Sequence, residues 1–432
     1  MPALTVCSTT FTALGRAQAK ALGFPDLPIA IVPHPFGIHA RDKIRHIAGQ
    51  CVDDIAKLVC ESGPKNSSEP LNPSSSVQRA IMIETSGDLD TINKLYRERR
   101  WGDGLPVVPP TADRVERMLR HTRRAPSDVV ATIAPGFGVA TVERIAINAV
   151  LAGCDPEYLP VLIAVTEAVS ASQFNLQAIQ TTTHPVAVWL VINGPISQRL
   201  KLNSGTNCLG PGAWANATLG RAMRLIQQNI GGALPGETDH ATQGQPGKYT
   251  FCCAENEAGS PWEPLHVERG FAPECSTVTV VGAAGTSNMI THAKDAGDLL
   301  RVIAGTMAVP ASLEYVYGGE PWLMLAPEHA HILKHDGLSK AEVKRRLWEQ
   351  SKMPAHRLAA KDLARTQNAR RAELGEIGPD TLLPISIDPE DISIIVAGGP
   401  GTHSVYVPVF GTSRSVTREV LLSDEAAMIN AL

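Results

Sequence analysis

An apolar run at residues 3–7 opens the chain. A helical spacing of apolar positions over 11–22 follows, then a second apolar run at 29–32 and a second helical pattern over 39–60. Short apolar runs alternating with a 3.6-residue period predict a βαβα unit. Gly23 and Pro25 stop the first helix, and Pro33-His34-Pro35 ends the second strand, since proline removes a backbone donor and glycine accepts the left-handed turn. The order implies parallel pairing in a small flavodoxin-like fragment. Two strands are too few to stand alone, so the unit needs strands from elsewhere.

Residues 62–76 are almost free of apolar side chains and rich in Ser and Pro, which reads as a solvated linker. The predicted organisation is a partial α/β unit over 1–61, a linker over 62–76, and a large mixed α/β domain over 77–432. In the large domain an apolar stretch at 81–83 and a helical pattern over 89–100 lead to a strand predicted within 102–110, with proline on both sides. Thr111 caps a helix whose Val115, Met118 and Leu119 share one face. Helices follow at 141–152, after the Asp155-Pro156 start signal, at 213–229 and at 295–307. Buried strands are predicted at 186–192, 249–253, 278–281, 322–325 and 392–397.

Of 432 residues, 44% are hydrophobic and 5% aromatic, and the net charge is −4. That gives a large core and no general basic field, which argues against nucleic acid as partner. Asp155, Glu157 and Glu167 interrupt the most apolar helical region, so no membrane span is expected. With no secretion signal at the N-terminus, the expected location is cytoplasmic. Eight cysteines without a C-x-x-C pair read as reduced thiols. Between Ser339 and Arg371 ten Lys or Arg stand against three acidic residues. Two basic helices are predicted there, the second opened by Pro354, as a solvated face or as an anion or subunit contact.

The strongest local signal is the glycine-rich loop over 204–213, which feeds directly into a helix. Gly205, Gly210 and Gly212 permit close backbone approach, and Asn207 and Asn216 are amide donors, so the loop is a candidate anion site. The spacing fits neither the dinucleotide fingerprint nor a phosphate-binding loop with lysine, so no nucleotide is named. Arg221 and Arg224 on the following helix are candidates for a carboxylate or phosphate clamp, or for an internal ion pair.

His184, at the mouth of the strand beginning at Val186, is the leading acid/base candidate. Glu255 and His266 are further candidates, since a carboxylate beside Phe251 and Trp262 has its pKa raised by desolvation. Their spacing with Glu257 and Glu268 matches no recognised metal pattern, and no metal or other cofactor is predicted. The strand over 392–397 runs into Gly398-Gly399-Pro400-Gly401-Thr402-His403, a turn where a ligand beyond a strand end finds flexible backbone and His403. Cys7, before a helix, and Cys208, in the glycine-rich loop, are candidate thiolates. Cys252 and Cys253 alternate in a strand and face opposite ways.

The run Thr5-Val6-Cys7-Ser8-Thr9-Thr10-Phe11, with Arg16-Ala17-Gln18-Ala19-Lys20 and the segment through Pro35, resembles the UGSC family of proteins and selenoproteins. The runs from Ala397 to Pro408 and from Asn216 to Leu225 resemble longer relatives. The family's selenocysteine or cysteine motif precedes the segment that opens this chain, and Cys7 aligns with the second strand, so no family nucleophile is carried over. The resemblance implies an α/β fold and thiol redox chemistry. It leaves the N-terminal sheet to be completed by another chain or by the chain's own second region.

The expected function is a small-molecule enzyme, a lyase or hydrolase, acting by acid/base chemistry on an anionic or carbonyl-containing substrate. The substrate is expected at a single pocket where the two glycine turns converge, next to His184 and Arg221. Thiol-dependent oxidoreductase and non-catalytic subunit are the alternatives. A homo-oligomer is expected, with or without a second subunit.

Overall fold

The structure is a computed structural model that describes residues 3–61, 79–85 and 87–422; the predicted linker over 62–76 lies outside them. The N-terminal unit has the βαβα order the periodicity predicts. Strands β1 (Thr5–Ser8) and β2 (Ile29–Val32) pair in parallel, followed by helices Thr12–Ala21 and Arg41–Glu61. No third strand joins them among the described residues, so the unit lacks the wider sheet of a flavodoxin-like fold. It touches the rest of the chain through Gln18, which donates to the Pro135 carbonyl and meets Gln177 at 2.8 Å, and through Phe11, edge-on to His240 at 4.8 Å.

The large region is a four-layer sandwich. A hairpin of β3 (Val129–Ile133) and β4 (Gly138–Thr141) precedes β5 (Ala187–Asn193), β6 (Cys252–Ala254), β7 (Thr277–Ala283), β8 (Ser287–Ile290) and β9 (Trp322–Leu325). A two-residue pair of β10 (Met353–Pro354) and β11 (Leu382–Leu383) follows, then β12 (Ser393–Val396), β13 (His403–Val407) and β14 (Val416–Glu419). One sheet has the order β14-β7-β5-β6 and the other β12-β9-β13-β8, and only β5·β6 and β12·β9 are parallel within them.

The near-continuous apolar runs of the central strands are explained by burial on both faces. Val188, Leu190 and Ile192 of β5 point to a core shared with helices Val142–Ala152, Leu159–Val169 and Trp214–Asn229. The alternate residues Ala187, Trp189 and Val191 point the other way, into a core with Trp322 and Met324 of β9, Ile395 of β12 and Val407 of β13. Leu323, Leu325, Ile394 and Val396 then face a third core with helices Ala296–Met307, Pro327–His335 and Lys340–Gln350. The layers therefore run helix, sheet, sheet, helix. Cys252 and Cys253 lie in different cores, on opposite faces of β6.

The strand predicted within 102–110 does not form. Prolines 106, 109 and 110 cannot donate to a ladder, and the segment instead ties down helix ends: Val107 N–H donates to Asn93 Oδ1 at 2.7 Å and Val108 N–H to the Leu151 carbonyl at 3.2 Å. The 81–83 stretch is exposed coil, Ile81 at 86%. Pro354 ends β10 and caps only the 3-10 turn Ala355–Arg357; the second basic α-helix is Ala360–Leu374. Lys340 and Lys344 are buried against Glu268, and Arg370 is buried against Glu373 and three carbonyls, so part of the basic segment holds the fold together. No single helix among the described residues is long and apolar enough to cross a membrane.

Candidate functional site

The two glycine turns meet. Gly398 N–H donates to the Ser204 carbonyl at 2.9 Å, and Gly399 packs against Thr206. The junction lies beyond the carboxyl ends of β6 and β12, because Ala254 N–H donates to the Asn203 carbonyl at 3.3 Å and Asn256 N–H to the Val396 carbonyl at 2.7 Å. Ser204, Thr206 and Cys208 are thus neighbours of Gly398 and Gly399, and the rest of the predicted set, Gly205, Asn207, Gly210, Gly212 and Asn216, is carried by the same turn and the helix it feeds.

The amides at this junction are committed to the loop itself. Asn216 accepts from Asn203 N–H at 2.8 Å and donates to the Asn203 and Cys208 carbonyls at 2.9 and 3.0 Å. Asn207, in the left-handed region at φ 61°, donates to the Pro211 carbonyl at 2.7 Å. Gly401 N–H donates to Glu328 at 2.7 Å. His403 is exposed, its Nδ1 beside the Asn288 amide. The expected substrate donors are therefore staples that fix two turns in one conformation.

Cys208 is 3% exposed at this junction. The Cys253 thiol donates to its sulfur, and backbone N–H groups of Cys208, Leu209 and Gly398 add to that, which holds the Cys208 thiol below its ordinary pKa; Cys253, as donor and buried, is pushed well above. Cys7 is remote from this pair, in β1, with its thiol on the Phe11 carbonyl at 3.4 Å.

Glu255 and His266 enter a buried polar cluster beside the junction. Asn193, the last residue of β5, donates to Glu255 at 2.6 Å and to Glu257 at 3.0 Å, and His266 Nδ1 lies 3.8 Å from Glu257. Burial raises the Glu255 pKa, opposed by Lys340. Among the described residues no group of three or more His, Cys, Asp or Glu is arranged to hold a metal.

His184 and Arg221 are elsewhere. His184 precedes the amino end of β5, a strand length or roughly 20 Å from the junction. Burial lowers its pKa. Arg221 forks onto Asp103 at 2.7 and 2.8 Å and donates its remaining bonds to the Leu105 and Pro106 carbonyls, so it is an internal ion pair. Arg224, one turn further along the same helix, is itself buried and pairs with Asp239 instead.

Arg224 reaches a cleft of about 800 Å³ between helix Leu89–Glu98, the 100–107 segment, helix Trp214–Asn229 and the 234–249 loop. On its wall Lys248 Nζ donates to both Asp239 oxygens at 2.7 and 2.8 Å, and Arg224 Nη1 lies 3.3 Å from Asp239 Oδ2. That nitrogen is not aligned for a hydrogen bond and has no other partner, and nor has the buried Gln227 amide nitrogen beside it. Arg97 and Arg100 stand at the rim, Arg100 paired with Glu237. His184 is next to this wall, because the flanking Thr183 and Pro185 carbonyls accept from Thr242 and Gln245.

Burial pulls the Lys248 pKa down, against Asp239. The residues that sequence reasoning missed, Asp239 and Lys248, sit in the 22-residue connection between the helix ending at Asn229 and β6. A connection that long with one 3-10 turn was itself a signal, since long ordered loops are disproportionately functional.

The molecule is a four-layer α/β sandwich with a cationic cleft on one side and a pinned glycine junction on the other. Its first segment has a known likeness: the model of the UGSC family matches residues 1–61. No curated protein and no solved structure matches the chain.

Proposed function

We propose that the chain is a small-molecule enzyme of the UGSC-like type, a lyase or hydrolase acting by acid/base chemistry on an anionic or carbonyl-containing substrate, and that its active site is the 800 Å³ cleft. The observation that carries this reading is the Arg224–Asp239–Lys248 cluster on the cleft wall. Three cations, Arg221, Arg224 and Lys248, stand against the two carboxylates Asp103 and Asp239. The surplus positive charge in a partly desolvated wall favours an anion, and the Lys248–Asp239 pair is a proton donor and acceptor in contact.

Thermal shift with phosphate and short dicarboxylates tests the site. Concentration-dependent stabilisation that is lost in Lys248→Met is expected. Stabilisation unchanged by that substitution, or none with any anion, overturns the assignment. Turnover is tested by following proton uptake with hydroxy and oxo acids.

A second reading, a thiol-dependent oxidoreductase, is favoured by the Cys253 thiol donating to Cys208. Its test is iodoacetamide labelling with mass mapping: a fast-reacting Cys208 whose Ser variant is inactive would replace the acid/base reading. The edges of β1 and β2, unpaired among the described residues, support an assembly in which another copy or a second subunit extends that sheet.

A further inference from the structure

Lys248 is in an unusual position for a structural ion pair. It is partly buried, it lines a cleft, and it shares its carboxylate, Asp239, with Arg224. Helix Trp214–Asn229 brings Arg224 and the 234–249 loop brings Asp239 and Lys248, so three charges from two elements meet at one point. Asp103, forked by Arg221, also faces Arg224, and Glu237 is taken by Arg100, so Arg221, Arg224 and Lys248 stand against Asp103 and Asp239 with one cation in surplus. Such a cluster reaches neutrality in two ways: it binds an anion, or the ammonium gives up its proton.

A lysine beside another cation, partly desolvated and within reach of a small ligand, has the setting in which an amine becomes a nucleophile toward carbonyls. We propose that Lys248 captures an anionic aldehyde or ketone, such as an oxo acid, as a protonated Schiff base, with Asp239 as proton relay. This rests on the cleft being the ligand site.

The step balances. The Lys248 ammonium passes one proton to Asp239, and the free amine attacks the carbonyl carbon, so a C–N bond forms as the C=O π bond breaks. The oxygen takes protons from Asp239 and from the amine nitrogen and leaves as water. Ammonium and carbonyl compound thus become an iminium and one water, with charge conserved. Arg97 at the rim is placed to hold the anionic end of the molecule, with the buried Arg224 behind Asp239 adding positive charge to the wall. The iminium inherits the Asp239 contact of the ammonium it replaces.

The test uses the full chain and pyridoxal phosphate as an anionic aldehyde, with borohydride reduction and peptide mapping. Lys248 is expected to carry the phosphopyridoxyl group about tenfold faster than any other lysine at pH 7. Labelling should fall in Asp239→Asn and disappear from this peptide in Lys248→Arg. The wild-type map alone decides the case if a variant does not fold: labelling that follows exposure, with Lys94 and Lys201 ahead of Lys248, overturns the proposal. Thermal shift with inorganic phosphate separates the two readings. Stabilisation by phosphate without Lys248 labelling removes the covalent step and leaves the cleft, whereas neither effect removes both.

Discussion

Gly399 leaves no room for a side chain against Thr206: a Cβ there would lie 2.9 Å from the Thr206 Cα, a backbone atom that cannot turn aside. This contact joins the two glycine turns across nearly half the sequence. Gly399→Ala is expected to cost about 1–3 kcal/mol, because one turn must move. Gly212→Ala meets nothing within 4 Å and strains only a backbone at φ 118°, so it should cost about 1 kcal/mol. Urea unfolding of both variants checks the order; equal midpoints would mean that the turns part freely.

The Arg221–Asp103 fork is the second joint. Its side chains are 14% and 3% exposed, and the guanidinium also closes the Leu105 and Pro106 carbonyls. Arg221→Ala leaves a buried carboxylate unpaired and should cost about 3–5 kcal/mol. Arg221→Lys should recover little, since an ammonium cannot serve a bidentate carboxylate and two carbonyls together. Full recovery with Lys in a denaturant titration would show that charge alone holds the joint.

Strand and helix identities in the core were legible because β5, β9 and β12 are buried on both faces and so read as unbroken apolar runs. Strands β8, β13 and β14 were not, since the partly or fully exposed Ser287, His403 and Arg418 break their patterns, β8 and β14 being edge strands as well. The convergence of the glycine turns was readable from their place after strand ends. The cleft was not: Arg221 and Arg224 look alike in sequence, and only the partner, Asp103 for one and Asp239 for the other, decides which faces the ligand side. Asp239 lies in irregular chain and Lys248 ends a three-residue 3-10 turn, and in neither does a periodicity mark a side chain's direction.

Thiol accessibility follows the layers. Cys60 is exposed, whereas burial pushes the Cys154 thiol up to about 12 and also raises Cys252. Under native conditions iodoacetamide should modify Cys60 first and leave Cys154 and Cys252 unmodified until urea unfolds the large region. Early labelling of Cys252 would mean that the helical layer over β6 opens without global unfolding.

Glu314 should make stability depend on pH near neutrality. It is fully buried at the start of helix Leu313–Tyr317, accepts from Ser312 Oγ at 2.9 Å, Val409 N–H at 3.1 Å and the Tyr406 hydroxyl, and burial raises its pKa to about 7. An unfolded glutamate ionises near 4.5, so between 4.5 and about 7 the folded state holds a proton that the unfolded state has lost. Stability from this group is therefore full below 4.5 and declines as pH rises through 7, by up to about 3 kcal/mol. Other groups add their own slopes, so the comparison is with Glu314→Gln, which keeps the shape and cannot ionise. The difference in unfolding free energy between the two proteins should shift in favour of the variant from pH 5 to pH 8. A difference that stays constant over that range would show that Glu314 is ionised throughout in the folded protein, with its three donors outweighing burial.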